Sequence, residues 1–335
     1  MYIVTHRRVF FTIIGAIFVV AIGAIAVFGL PLSIDFTGGS LVEVAYTGQR
    51  PDVTEVAKNV DQLALGEISV RESGTNGITL RTRTLTPAEH VEVLKQLGTQ
   101  AASTTSASST AVAPASAAST TASSTVAGTF TELRFNSIGP SLGSELATKA
   151  LYALIAVIIA IMLYIAWAFR RVSRPVSSWT YGLIVVIILF HDVIIPTGFY
   201  AILCHFTGSQ VDSLFAVALL AILGYSVNDT IVIFDRVREH LHNNEHAKLV
   251  EPFEETVGKS VTETMGRSIN TSLTVALALI ALVIFGSVET RDFALVLLVG
   301  VIAGTYSSIL LAAPLLVPLG KRFAKLDDTG KKKKK

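Results

Sequence analysis

Six long apolar runs punctuate the chain: about Val9–Leu32, Ala150–Phe169, Thr180–Cys204, Val211–Phe234, Ile269–Phe285 and Phe293–Leu319. Each is long enough, as a helix, to cross roughly 30 Å of hydrocarbon; the fifth is the shortest. Between the first two the pattern changes period. Gly39–Tyr46 alternates as a strand, with Leu41, Val42, Val44 and Tyr46 as its apolar positions. Asp52–Leu65 has helical spacing, with Asp52 as N-cap. Ile68–Glu72 and Ile78–Thr84 flank Ser73–Gly77, a turn of residues that tolerate positive φ, which predicts a hairpin. Thr86-Pro87-Ala88-Glu89 opens a second helix, with Thr as cap, Pro first and Glu third. Thr129–Phe135 is strand-like again. The pattern predicts a polytopic α-helical membrane protein of six transmembrane helices, with a small α+β domain between the first and second.

The domain boundaries follow from these changes. Residues 1–34 form the N-terminus and first span, 35–149 the extracytoplasmic domain, and 150–319 the remaining five spans. A basic tail covers 320–335. Residues 101–128 are nearly all Ala, Ser and Thr, and predict a disordered insertion with little to bury. The stretch 236–266 is charged and carries Phe253, Val257 and Val261 on one stripe, which predicts short amphipathic helices along the membrane surface.

Composition agrees. Of 335 residues, 51% are hydrophobic and 16% charged, far from a soluble globule. A net charge of +2 suggests no nucleic-acid partner, and one cysteine, Cys204, permits no internal disulfide. The first span follows Arg7-Arg8 and outruns a signal-peptide core, so an uncleaved anchor is expected. Lys and Arg concentrate in alternate connections and at both ends, whereas the opposite short loops, His205–Asp212 and Gly286–Asp292, hold only Arg291. This distribution places both termini in the cytoplasm.

Polar residues interrupt the apolar runs. Asn228 and Asp229 sit about two-thirds along the fourth, close to Tyr225 and Ser226, and Gly224 is expected to admit a neighbouring helix. An ionisable side chain at that depth costs several kcal/mol, roughly, and marks a functional site by default. Desolvation favours the neutral form of a carboxylate and a nearby cation the charged one, the tunability a proton carrier needs. Arg267 opens the fifth span, with Asn270, Thr271 and Thr274 on its face, and is the natural partner of Asp229; the alternative is a cytoplasmic flank that snorkels. His191-Asp192 in the third span could relay protons or simply satisfy each other. Asp212 reads as interfacial, and Gly300-x-x-x-Gly304 with Thr305, Ser307 and Ser308 as a helix-packing face. There is no nucleotide-binding loop, dinucleotide fingerprint or zinc-protease motif, which leaves an ion gradient as the energy source.

Asp35-Phe-Thr-Gly-Gly-Ser40, Ile138-Gly-Pro-Ser-Leu-Gly-Ser-Glu145 and Gly224-Tyr-Ser-Val-Asn-Asp-Thr-Ile-Val-Ile-Phe-Asp-Arg-Val-Arg-Glu239 together resemble the SecF family, membrane subunits of the bacterial Sec protein-export machinery. His191–Ile194 and Arg267–Ser272 match family segments in order. The Ala/Ser/Thr insertion and the lysine tail depart from the pattern. The resemblance implies half of a resistance-nodulation-division transporter, with a ferredoxin-like outer domain. It implies SecD as partner, association with SecYEG and preprotein substrates, and residence in the bacterial cytoplasmic membrane. It also implies a proton-pathway role for Asp229, Arg267 and Asn228, with His191, Asp192 and Thr271 as secondary candidates. Asp35, Gly38 and Gly39, with Gly139 and Pro140, match a structural signature that joins the outer domain to its anchor.

The expected role is a translocase accessory subunit driven by the proton gradient, not an enzyme, with no cofactor or metal and H+ as coupling ion. Protonation of Asp229 would change its pairing with Arg267 and shift the fourth and fifth spans. Two rivals are a small-molecule efflux transporter of the same superfamily and a non-catalytic assembly factor of the Sec complex.

Overall fold

The computed structural model describes residues 2–48, 50–66, 68–105, 130–170, 176, 178–249 and 251–320. Most of the Ala/Ser/Thr-rich segment and nearly all of the basic tail therefore lie outside the described residues. The chain divides into two compact units, Leu32–Lys149 and the combination of Met1–Pro31 with Ala150–Lys335.

The smaller unit follows the local rules closely. A short helix, α3 (Ile34–Thr37), leads into β1 (Gly39–Tyr46), α4 (Val53–Asp61), β2 (Ser69–Ser73), β3 (Gly77–Thr82), α5 (Pro87–Thr105) and β4 (Phe130–Ile138). The strands form one antiparallel sheet in the order β2-β3-β1-β4, with a register shift in the β1–β4 pairing between Glu43 and Val44. Alternate residues of β1 and β3 (Val42, Val44, Tyr46, Ile78, Leu80) bury against Val56 and Val60 of α4 and Val93 and Leu97 of α5.

Both helix starts are capped as the sequence suggests. The Asp52 carboxylate accepts from the Thr54 N–H at 2.7 Å. At α5 the capping box closes: Glu89 Oε2 accepts from the Thr86 N–H at 2.7 Å and the Glu89 N–H donates back to Thr86 Oγ1 at 3.4 Å. The helix continues through Ala101–Thr105, the first residues of the segment expected to be irregular, because alanine is the strongest helix former and nothing there breaks the ladder.

Two distant signatures meet in this unit. Gly38 has φ +77°, and a Cβ there would lie 2.5 Å from the Pro140 Cα; one on Gly143 would lie 2.6 Å from the Gly38 nitrogen. The Gly38-Gly39 turn and the Pro140–Gly143 segment are thus pressed backbone to backbone, which the missing side chains of Gly38 and Gly143 allow. Ser40, next in the chain, is fully buried; its Oγ accepts from the Leu85 N–H and pairs with Ser137 Oγ, both at 2.8 Å.

Among the described residues six helices are long and apolar enough to cross a membrane: α2 (Arg7–Phe28), α6 (Pro140–Ala168), α7 (Ser178–Thr207), α8 (Ser213–His246), α9 (Phe253–Phe285) and the last span Thr290–Gly320. A one-turn α1 (Tyr2–Thr5) precedes α2. The last span consists of α10 (Val288–Ser307), a π-helical turn at Ser308–Ala312 and a final helical stretch, 313–320. Its middle, with α7 and α8, is the most enclosed part of the unit, while α2, α6 and α9 turn much of their apolar surface outward.

The segment 236–266 differs from expectation. Instead of separate short helices on the membrane surface, α8 and α9 run on past their apolar portions and turn only at 247–252. Charged groups fix the antiparallel pair. Arg236 Nε donates to Glu263 at 2.6 Å, His240 meets the same carboxylate at 3.1 Å, and Asn244 donates to Glu251 at 2.9 Å. Val257 and Val261 of the expected stripe face inward and join the main apolar core. Helix continuity wins because each added residue gains a backbone bond without a new nucleation step.

Glu89 is held to about 2, first by the Arg83 guanidinium and then by the Thr86 N–H and hydroxyl. A depressed folded-state value means that the ionised cap stabilises α5 fully above 4.5 and loses that contribution as pH falls toward about 2. Hydrogen-exchange protection of the first turn of α5 is expected to drop across that window in the wild type. In Glu89→Gln this acid-dependent loss disappears.

Candidate functional site

Close approach of the last span to α8 sets the site geometry. A Cβ on Gly304 would lie 3.1 Å from the Ser226 Cβ, and one on Gly300 would lie 2.2 Å from the Ile222 Cδ1. The small residues read as a packing face do admit α8. On the opposite flank of α7, a Cβ on Gly198 would lie 2.6 Å from Ala21 of α2. Gly224 departs from expectation: nothing lies within 4 Å of where its Cβ would be, so it admits no neighbouring helix.

Asp229 is buried in the middle of α8, 3% exposed. Its Oδ2 is enclosed without a hydrogen-bond partner among the described residues, and so is Ser268 Oγ on α9. Beside them the hydroxyls form a chain across three helices. Tyr225 Oη of α8 donates to Ser272 Oγ of α9 at 3.0 Å, and Thr305 Oγ1 of α10 reaches the same oxygen at 2.5 Å. Ser272 in turn donates to the Ser268 carbonyl at 2.8 Å.

Arg267 is within electrostatic range of Asp229, but no ion pair joins the two among the described residues. The reason lies in helical phase. One residue along a helix is a rotation of about 100°. Ser268 and Ser272, four apart, take the face toward α8, which turns Arg267 outward with Asn270, Thr271 and Thr274. Thr271 satisfies its hydroxyl on the Arg267 carbonyl at 2.9 Å. Asn228 is also exposed, about 100° around α8 from Asp229. Of the sequence candidates, only Asp229 among these lies inside the bundle.

His191 and Asp192 of α7 form the second buried centre. Asp192 is 0% and His191 4% exposed. Asp192 Oδ1 pairs with His191 Nδ1 at 2.8 Å, and Oδ2 accepts from Ser307 Oγ of α10 at 2.9 Å and from Ser226 Oγ of α8. His191 Nε2 meets Tyr306 Oη at 3.3 Å, and the Phe18 ring of α2 stacks on the imidazole. Pro196, four residues on, has no N–H to offer the Asp192 carbonyl, so the α7 ladder is interrupted at this pair. The roles of Ser226, Ser307 and Tyr306 have no local sequence signal; in the structure Tyr306-Ser307 precede the π-turn, a rare feature common at functional sites.

Asp212 caps α8, accepting from the Phe215 N–H at 2.9 Å, as its interfacial position suggested. No group of His, Cys, Asp and Glu suited to a metal ion occurs among the described residues. Asp35 sits in the first turn of α3, where its N–H donates to Ser33 Oγ at 3.1 Å.

Fold and site together define a multi-pass helical membrane protein with two ionisable centres enclosed between its spans. Comparison with known proteins narrows this. The family description "Protein export membrane protein SecD/SecF, C-terminal" matches residues 118–322, and "SecD/SecF GG Motif" matches 23–49, which contains Gly38 and Gly39. The protein translocase subunit SecF of Anaerolinea thermophila is 36% identical, over 94% of this chain and 92% of the relative. The corresponding subunit of Thermobaculum terrenum is 34% identical over the same shares. The crystal structure of SecDF, a translocon-associated membrane protein from Thermus thermophilus, superposes with a TM-score of 0.72 at 28% identity. It covers 95% of this chain, which spans 38% of that longer one. The chain belongs to the SecF family of protein-export membrane subunits.

Gly304→Leu is expected to wedge α10 from Ser226 and lower the thermal stability of the detergent-solubilised protein by about 1–3 kcal/mol, the usual cost of overpacking. Gly300→Ala should also cost stability, since its Cβ would lie 2.2 Å and 2.4 Å from the Cδ1 and Cγ1 of Ile222, a fully buried β-branched side chain with little freedom to turn aside.

Proposed function

We propose that the chain works as the SecF subunit of the Sec preprotein translocase, using the proton gradient together with SecD to promote late-stage export across the bacterial cytoplasmic membrane. The observation that carries the gradient coupling is Asp229, a carboxylate enclosed in the span with one oxygen unpartnered, opposite Ser268. In its neutral form Asp229 gains an O–H that Ser268 can accept; in its charged form it attracts the Arg267 guanidinium across the α8–α9 seam. Proton exchange at Asp229 therefore biases how α8 and α9 meet.

SecD as the partner is supported by the SecDF chain, of which this chain matches a part. It is supported further by the outward polar face of α9, where Arg267, Asn270 and Thr271 suit a protein neighbour better than lipid. SecYEG and preproteins follow from the subunit's family role. The ferredoxin-like reading of the outer unit rests on its β-α-β-β-α-β element order and its β2-β3-β1-β4 sheet. Cytoplasmic termini rest on the Lys and Arg distribution, part of which (Arg171, Arg174 and the terminal lysines) lies outside the described residues.

The test is export from vesicles after ATP-dependent translocation has finished, with an imposed proton gradient. Asp229→Asn is expected to co-purify with SecD and to lose gradient-dependent export. Normal gradient-dependent export by Asp229→Asn contradicts the coupling role and leaves an assembly role.

A further inference from the structure

The His191–Asp192 pair has a chemistry that the Asp229 step does not use. Three donors converge on one carboxylate: His191 Nδ1 on Oδ1, and the Ser226 and Ser307 hydroxyls on Oδ2. A charged carboxylate, which only accepts, satisfies all three at once. The imidazole proton then sits on Nδ1, and Nε2 is left facing the Tyr306 hydroxyl at 3.3 Å. A phenol can donate to a bare ring nitrogen or accept from a protonated one. One proton can therefore arrive at Nε2 with no contact of Asp192 broken, and its arrival turns a lone buried negative charge into a neutral pair. Loss of an uncompensated buried charge is among the largest electrostatic changes a membrane interior allows.

We infer that His191 is a second proton-binding site of this subunit, with Asp192 as a positioning residue that fixes its tautomer and ties it to α8 through Ser226. The inference rests on the reading of the chain as a gradient-driven subunit. Ser226 lies one helical turn before Asp229, so the two centres share α8. The ionisable neighbours are few. On α8, Tyr225 is engaged by Ser272, and Asp229 follows one turn on; on the last span Tyr306 faces the ring. α2 presents Phe18 and has no ionisable side chain from Val9 to Phe28, and the π-turn Ser308–Ala312 has none. The charge state of the imidazole is thus felt chiefly by Asp192 and Tyr306.

The experiment uses the intact chain reconstituted with SecD and SecYEG in proteoliposomes, with gradient-driven export followed across roughly pH 5 to 8, the window in which histidine changes charge. The wild type is expected to show a pH-dependent step. His191→Gln, which keeps a hydrogen-bonding side chain but cannot be charged, should co-purify with SecD and lose the part of the step that Asp229 does not supply. Tyr306→Phe leaves the Asp192 cluster whole and should move the step along the pH axis. A step intact in His191→Gln overturns the inference. Should that variant fail to assemble, an unmoved step in Tyr306→Phe overturns it instead. Asp229→Asn, run alongside, separates the two readings. If it loses export at every pH while His191→Gln behaves as wild type, only this inference fails. If it exports normally, the underlying reading fails.

Discussion

A carboxylate enclosed between helices in hydrocarbon is tolerated only where donors converge on it, and Asp192 imposes that condition on the membrane unit. Its three donors come from its own neighbour His191, from α8 and from α10, so those helices are fixed in rotation and depth relative to one another. Removing one partner of such a buried cluster costs roughly 3–5 kcal/mol, far more than any single apolar contact along the same seam. The close approach at Gly304 serves this condition, since a side chain there would hold Ser226 away from α10. Around the fixed triplet, α2, α6 and α9 turn much of their apolar surface outward.

Against that rigid centre, Asp229 stands out because its condition is not met. Among the described residues neither its Oδ2 nor Ser268 Oγ completes a hydrogen bond, although the Ser268 and Ser272 hydroxyls lie near enough to act on it. Asp192 is over-determined and Asp229 under-determined, although both lie on the same set of helices. The first pattern suits a permanent charge and the second a group that gains and loses a proton. A Sec translocase accessory subunit of this kind can hold a constant core while one seam, between α8 and α9, responds.

The outer unit was the most legible part of the sequence, because its signals are local. Asp52 and the Thr86–Glu89 box cap the helices the pattern placed there, and the Ser73–Gly77 turn joins two paired strands. Asp229 was legible for a different reason: a carboxylate in an apolar run is conspicuous whatever surrounds it. Which face of a span meets its neighbour was not legible. The stripe of Arg267, Asn270, Thr271 and Thr274 was plain in the sequence, but nothing local says that Ser268 and Ser272 win the contact with α8. Ser226, Ser307 and Tyr306 were hidden for the same reason, since their roles exist only once three separated helices are brought together. The continuation of α8 and α9 beyond the apolar runs is not legible because it depends on pairing between the two extensions, where Arg236 and His240 meet Glu263 and Asn244 meets Glu251.

The most direct test of the account is difference infrared spectroscopy of the reconstituted protein, which reads the carbonyl stretch of protonated carboxyl groups as pH is stepped. The account predicts a pH-dependent band that vanishes in Asp229→Asn and survives in Asp192→Asn. A band that persists in Asp229→Asn, or one lost only in Asp192→Asn, contradicts the assignment of Asp229 as the carboxylate that takes up and releases the proton.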